Sequence, residues 1–231
     1  MGNECAYGCT FEAALKWTKE FDPTRLTHYE SARYVDDPKK YDYSNLDLYS
    51  RMYPSLEEIK KELVEYGDKP YIMCEYCHAM GNGPGDLEDY FELIHSEEKM
   101  CGGFIWDFVD QALHRKAQDG TDLWLYGTDF EKEEPRHWYS LPNTTAITGS
   151  NTYFCANGII GADRTVHPQY YEVQKVYAPV QTLAVNPDSG SFTVKNKMLF
   201  TNINALECRW QIEVGGRLLM HGKLEPIDCP P

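Results

Sequence analysis

The run CEYCHAMGN at 74–82 sets Glu75 at the end of a short, mostly apolar segment, PYIMCEY at 70–76. His78 follows three residues later, and the loop HAMGNGPG is rich in glycine, which lets backbone approach a ligand. In parallel β/α architectures, reactive side chains stand at the carboxyl ends of strands. The bland alternative is a solvated glutamate, but a carboxylate beside Cys74 and Tyr76 in an apolar strand is costly without a role. A second carboxyl, Glu4 in MGNE, would lie at the tail of a strand if more chain preceded it. Two carboxyls on different strands suit glycoside hydrolysis with retention: one attacks the anomeric carbon, the other gives and then takes a proton. That requires the two groups to lie roughly 5–5.5 Å apart.

Positioning such groups needs strands and helices in alternation, and the hydrophobic pattern supplies them. Residues 11–20 place Phe11, Ala14, Leu15 and Thr18 on one helical face, and Asp22-Pro23 ends that helix. A short extended piece follows at 26–30, then a polar, tyrosine-rich loop at 32–45. Residues 46–53 read as a strand. Residues 55–66 form an amphipathic helix capped by Ser55 with Glu58, with Leu56, Ile59 and Leu63 inward and Gly67 as its stop. Strand 70–76, a helix at 86–95 with Leu87, Tyr90, Phe91 and Ile94 on one face, and strand 101–109 continue the pattern. Short links between them mean parallel β/α units. Residues 114–162 form a long polar and aromatic excursion, and a last helix near 168–178 opens on Pro168. Residues 180–231 alternate in polarity, with Gly215-Gly216 as a hairpin turn, and make an all-β module short for a complete sandwich.

Composition narrows the function. A net charge of −14, from 22 basic and 36 acidic side chains, argues against nucleic acid and anionic membrane as partners. It suits a neutral substrate. No apolar stretch approaches a membrane span, and no charged-then-apolar leader precedes Gly2, so a reducing, cytoplasmic home is the default. Aromatic rings, with 17 Tyr and 5 Trp, exceed what a bare core needs, and a ring face with a polar edge matches a pyranose. Among the eight cysteines, Cys5-x3-Cys9 and Cys74-x2-Cys77 are the close pairs. A structural zinc site wants two such pairs on turns, so most of the cysteines read as buried free thiols rather than as a metal or redox centre.

Four runs make a family resemblance specific: GNE at 2–4, KPYIMCEYCHAMGN at 69–82, GGFIWDFVDQAL at 102–113 and FCANGIIGADRTVHP at 154–168. In order and approximate spacing they resemble the large bacterial β-galactosidases of glycoside hydrolase family 2. The related β-glucuronidases carry a different run after their nucleophile. The resemblance implies an α/β chain that holds strands 5–8, the second half, of a (β/α)8 TIM barrel over 1–179, followed by the start of a β-sandwich over 180–231. It implies retaining hydrolysis of terminal β-D-galactosides such as lactose, with Glu75 as nucleophile and Glu4 as acid/base. Tyr53, in SRMYPS, matches a tyrosine that helps release the nucleophile. His78 matches a histidine that binds galactose hydroxyls, and Trp106 a tryptophan that floors the sugar site. Phe154 and Asn157 match residues that supply oxygen ligands to a sodium ion, through a backbone carbonyl and a side-chain amide respectively, and Asn157 counts with His78 and Trp106 among the implied substrate-binding residues. For His78 and Trp106 the plain alternatives are a structural histidine and a core ring. His28, His95, His114, His137, His167 and His221 read as structural or surface residues.

The chain also departs from the family pattern. Residues 1–179 fall short of the about 250 that a whole barrel takes, and half a barrel exposes two sheet edges. The upstream Glu and His of the family's magnesium site are absent, which leaves Glu4 as a partial site, and so is the upstream Asp of the sodium site. Asn151 stands where the family has Asp, and 131–150 looks like an insertion. The expectation is a chain inactive or nearly so alone. The competing class is a non-catalytic carbohydrate-binding or complementing subunit that pairs with a separate N-terminal half. Family members are homo-oligomers.

Overall fold

The computed structural model describes residues 2–34, 41–126 and 155–231. The chain divides into two compact units, Met1–Val176 and Tyr177–Pro231.

In the first unit, helix α1 (Cys9–Phe21) buries Leu15 and closes on Asp22, whose backbone N–H donates to the Thr18 carbonyl. Leu15 joins Tyr7, Tyr29, Ala32 and Leu46 in a small cluster of its own. The expected extended piece runs only as far as Tyr29, and Glu30–Arg33 then form a 3-10 turn. The expected strand 46–53 is shorter too: β1 spans Tyr49–Met52. Leu46 and Leu48 are buried but lie outside it, because the N–H groups of Asp47 and Leu48 both turn to the Thr27 carbonyl.

Helix α2 (Leu56–Glu65) opens with the capping box that Ser55 and Glu58 encode, each side chain bonding the other's backbone N–H. Its Ile59 is fully buried. Strand β2 (Tyr71–Tyr76), helix α3 (Leu87–Ser96) and strand β3 (Met100–Ile105) follow. In α3 the buried residues are Leu87 and Leu93, with Tyr90, Phe91 and Ile94 packed partly buried beside them. The three strands form one parallel sheet in the order β1-β2-β3. Tyr71, Met73 and Tyr76 turn one face of β2 into the main core with Ile59, Leu87 and Met100. Gly103 of β3 fits because it has no Cβ, which would meet Tyr76 Cδ1 at 2.8 Å. Helix α4 (Gln169–Val176) adds Val173 and Val176 to this core.

The polar and aromatic excursion after Val109 contains a structured piece. Strands β4 (Leu113–Lys116) and β5 (Asp122–Leu125) pair antiparallel about a turn in which Gly120 holds φ +88°. Most of their side chains are exposed, so no buried alternation announces them.

The second unit consists of two antiparallel hairpins, β6 (Val180–Asn186) with β7 (Ser191–Asn196) and β8 (Arg209–Val214) with β9 (Arg217–Lys223). Gly215-Gly216 is the turn of the latter, both residues at positive φ. The unit buries Ile203 and leaves Phe192, Phe200, Ile212 and Val214 exposed.

The cysteines correct one expectation. All eight are free thiols, but Cys5, Cys9 and Cys101 are exposed and the others are only partly buried. Cys5 and Cys9 stand at the entrance to α1, and Cys101 lies on β3 at the end of the sheet, places with little chain above them. No helix among the described residues is long and apolar enough to cross a membrane.

Candidate active site

The carboxyl ends of β1 and β2 bring Tyr53 and Glu75 together. Pairing across the two strands jumps from Arg51↔Met73 to Met52↔Glu75, and the β2–β3 register is also irregular between Met73 and Tyr76. β2 thus carries an extra residue at Cys74, a bulge that re-aims the side chain after it. The Tyr53 N–H donates to the Glu75 carbonyl at 2.9 Å. Tyr53 itself holds φ +47° ahead of buried Pro54, a left-handed backbone that a bulky residue rarely adopts. The result is a direct contact: the Tyr53 hydroxyl donates to Glu75 Oε2 at 2.8 Å. Burial, that hydrogen bond, and the nearby Glu75, Cys74 and Glu4 groups hold the Tyr53 hydroxyl well above the usual tyrosine range. Tyr53 is therefore a neutral donor at any ordinary pH.

His78 completes this cluster, its ring centroid 5.8 Å from that of Tyr53. The Met80 N–H donates to His78 Nδ1 at 3.4 Å, which makes Nδ1 an acceptor and leaves Nε2 to carry the proton of the neutral ring. Beside it, burial and Asp86 push the Cys77 thiol up to about 12, so Cys77 is no nucleophile here.

Trp106 is tied to the same loop, since its carbonyl accepts the Ala79 N–H at 2.8 Å and its own N–H donates to the Tyr76 carbonyl. The next residue, Asp107, passes the ladder on: its N–H donates to the Asn157 carbonyl at 2.7 Å, and its carbonyl accepts from Ile159. Asn157 is 2% exposed. Its neighbour Gly158 is clamped on both sides. The Gly158 N–H donates to Asp110 Oδ1 at 2.8 Å, the Gly158 carbonyl meets His167 Nδ1 at 3.0 Å, and His167 Nε2 lies 3.4 Å from Asp110 Oδ2. Sequence reading singled out neither Asp110 nor Asp107. It placed His167 among the structural or surface residues, and a structural clamp is the part His167 plays.

Glu4 is exposed, in the segment before α1, with φ +51°. Its charge reaches Tyr53, which puts it within electrostatic range of the cluster. Among the described residues no group of three or more His, Cys, Asp or Glu side chains is placed to hold a metal ion. For sodium, the described residues offer the buried Asn157 amide as one hard oxygen donor. Phe154, Asn151 and the stretch 131–150 lie outside the described residues.

The profile of the TIM barrel domain of glycosyl hydrolases family 2 matches residues 1–182. The chain belongs to glycosyl hydrolase family 2. It is similar to the beta-galactosidase of Priestia megaterium (strain DSM 319 / IMG 1521), 41% identical over 219 residues, which covers 95% of this chain and 19% of that protein. It is also similar to those of Actinobacillus pleuropneumoniae, at 35% over 100% of this chain and 21% of the relative, and Clostridium acetobutylicum, at 36% over 99% and 23%. This family 2 chain thus spans about a fifth of the length of the curated relatives it matches.

Proposed function

We propose that this chain carries the nucleophile side of the active site of a retaining β-galactosidase, which hydrolyses terminal β-D-galactosides. The observation that carries the reading is the Tyr53–Glu75 hydrogen bond at the carboxyl ends of β1 and β2. Glu75 attacks the anomeric carbon and forms a galactosyl ester, while the acid/base, assigned to Glu4, protonates the departing oxygen. Water, deprotonated by the same group, then breaks the ester, and Glu75 leaves as carboxylate. The neutral Tyr53 hydroxyl stabilises that leaving carboxylate by donating to Oε2. His78, with a proton on Nε2, suits a sugar hydroxyl, and Trp106 offers a ring face to the pyranose. Asn157, with Phe154, is the proposed sodium position; a bound sodium would order hydroxyls at the rim of the site.

The chain works as the second half of a (β/α)8 barrel, with the start of a β-sandwich after it. Two observations support a need for a complementary half. Glu4 is exposed, whereas a general acid works best where burial and neighbours tune it. Phe104 is 63% exposed on β3, at the end of the sheet. On this reading cleavage draws on the further β/α units that complete the barrel.

The test is a chromogenic β-galactoside assayed with the 231-residue chain alone and mixed with upstream halves of family 2 relatives, followed by trapping with an activated 2-fluoro-galactoside. The mixture should hydrolyse substrate and carry one sugar on the peptide that contains Glu75, and Glu75→Gln should abolish both. A sugar on any other carboxylate would remove Glu75 as nucleophile. Full turnover by the chain alone would remove the need for a partner.

A further inference from the structure

At the other end of β1 from Tyr53, the fold leaves a cavity of about 340 Å³. Tyr49 and Ser50, which open β1, line it, as do Asp68 and Lys69, which lead into β2. Tyr53 lies four residues on from Tyr49, or about 13 Å at the rise of a β-strand. This space is therefore separate from the Glu75 cluster.

Its wall is a set of rings. Four tyrosines, Tyr29, Tyr43, Tyr49 and Tyr66, stand around a floor of Ala32, Leu46 and Leu48. The Tyr29 hydroxyl is committed to the Ala6 carbonyl at 2.9 Å and its ring stacks on Phe11 with centroids 4.6 Å apart, so Tyr43 and Tyr66 have the freer rings. Tyr66 stacks on Tyr49 with centroids 4.6 Å apart and remains 40% exposed. Polarity comes from two acids and two bases, Glu30, Asp68, Arg33 and Lys69, so the charges of the lining balance. Three of the four are already engaged. Arg33 pairs with Glu30 at 2.7 Å, with the Glu30 side chain only 5% exposed, and Lys69 Nζ donates to the Ser44 carbonyl at 2.9 Å.

That combination selects a class of ligand. An ion that sought Glu30 or Arg33 would have to part that pair, and breaking a buried pair leaves an uncompensated charge. A flat, fully apolar ligand would cover the polar rim without satisfying it. A neutral ring with hydroxyls at its edge does neither, because its faces lie on tyrosine rings and its hydroxyls exchange hydrogen bonds with phenols and side-chain N–H groups. The volume is at the small end of ligand pockets, about 300–1,000 Å³, which means one ring rather than a chain. We propose that this tyrosine-lined cavity binds a monosaccharide in its pyranose form, at a site independent of Glu75.

The experiment is calorimetric titration of the full 231-residue chain with D-galactose and D-glucose, with D-galacturonate as a charged comparator. Saturable binding of at least one neutral sugar is expected, and at least tenfold weaker binding of galacturonate. Tyr66→Ala, at an exposed position, and Lys69→Met, at a half-buried one, should each weaken neutral-sugar binding at least tenfold while the circular dichroism spectrum stays native. Glu75→Gln should leave it unchanged. No saturable binding of either neutral sugar would overturn the proposal. So would tighter binding of galacturonate, or binding that Glu75→Gln abolishes and the two cavity variants leave intact. None of these outcomes depends on catalysis, so the site can fail while the reading of Glu75 stands.

Discussion

Asp110→Ala should loosen the segment that carries Asn157, by an amount the structure allows one to work out. Asp110 Oδ1 is the acceptor for the buried Gly158 N–H, and water cannot easily replace it. The backbone there is packed so closely that a Cβ on Gly158 would meet Asp110 N at 2.2 Å and Ile160 O at 2.5 Å. Leaving a buried donor without a partner costs about 1–3 kcal/mol. The ion pair with His167 adds little, about 0–1 kcal/mol, because His167 is 33% exposed and solvent screens the 3.4 Å contact. The sum is about 1–4 kcal/mol. For a unit of this size each kcal/mol lowers Tm by about 2–4 °C, so the expected drop is about 2–16 °C by calorimetry. Asp110→Asn keeps a carbonyl oxygen for Gly158 and should lose about 1 kcal/mol or less. Amide exchange read by NMR should speed at Gly158 and Asp107 in the alanine variant, because Asp107 donates to the neighbouring Asn157 carbonyl. Equal melting temperatures for the alanine and asparagine variants, or an unchanged Gly158 exchange rate, would refute the clamp.

Tyr53→Phe removes the hydroxyl on Glu75; hydrogen bonds to charged groups contribute about 1.5–3 kcal/mol, and the half-exposed position argues for the low end. Turnover in the assembled enzyme should fall about tenfold, and an unchanged rate would count against a role for the hydroxyl. Asp47 concerns pH. Burial alone would raise its carboxyl, but hydrogen bonds from Lys19 and Thr27 and the Lys19 charge hold it below the ordinary 3.8. Its stabilising contribution is complete above pH 3.8 and is lost as pH falls through the lower folded value. Asp47→Asn should flatten the acid limb of urea-unfolding stability below that point, and an identical limb would dismiss the pair. Gly103→Ala drives a methyl against Tyr76 and Met73 and should destabilise the chain by about 1–3 kcal/mol in the same assay; a neutral result would show that the sheet gives way there.

The parts of the fold legible in the sequence are those specified locally. Ser55 and Glu58 lie within one turn of each other, so their capping box can be read directly, and Ile59 follows from periodicity. The end of the strand at 46–53 could not be read so. Leu46 is apolar for the sake of Tyr7 and Tyr29, residues distant in sequence, and the backbone beside it is claimed by Thr27. The β4–β5 hairpin left no periodic mark because its side chains face solvent, and the exposed cysteines mislead because free Cys is so commonly buried. Asp107 and Asp110 sit in plain view in GGFIWDFVDQAL, but their work is with residues some 50 positions away, which pattern reading within one segment does not reach.

The site shows the same division at a finer scale. That Glu75 ends an apolar strand is local information, and so is the loop that follows. That Glu75 meets Tyr53 is not. It depends on an extra residue in β2 at Cys74, on Tyr53 taking a left-handed backbone before Pro54, and on the two strands being neighbours in the sheet. Each alone would leave the hydroxyl elsewhere: an even register turns the carboxylate to another face, and an extended Tyr53 carries its ring onward along β1. A left-handed tyrosine costs of order 1–3 kcal/mol, so the surrounding packing must hold it, and Pro54, fully buried with its carbonyl accepting the Tyr90 hydroxyl at 2.8 Å, supplies that hold. Glu4 also has a left-handed backbone but is exposed and precedes the first helix. Glu75 and Tyr53 are thus pinned by the core of this chain, whereas Glu4 lies outside that core.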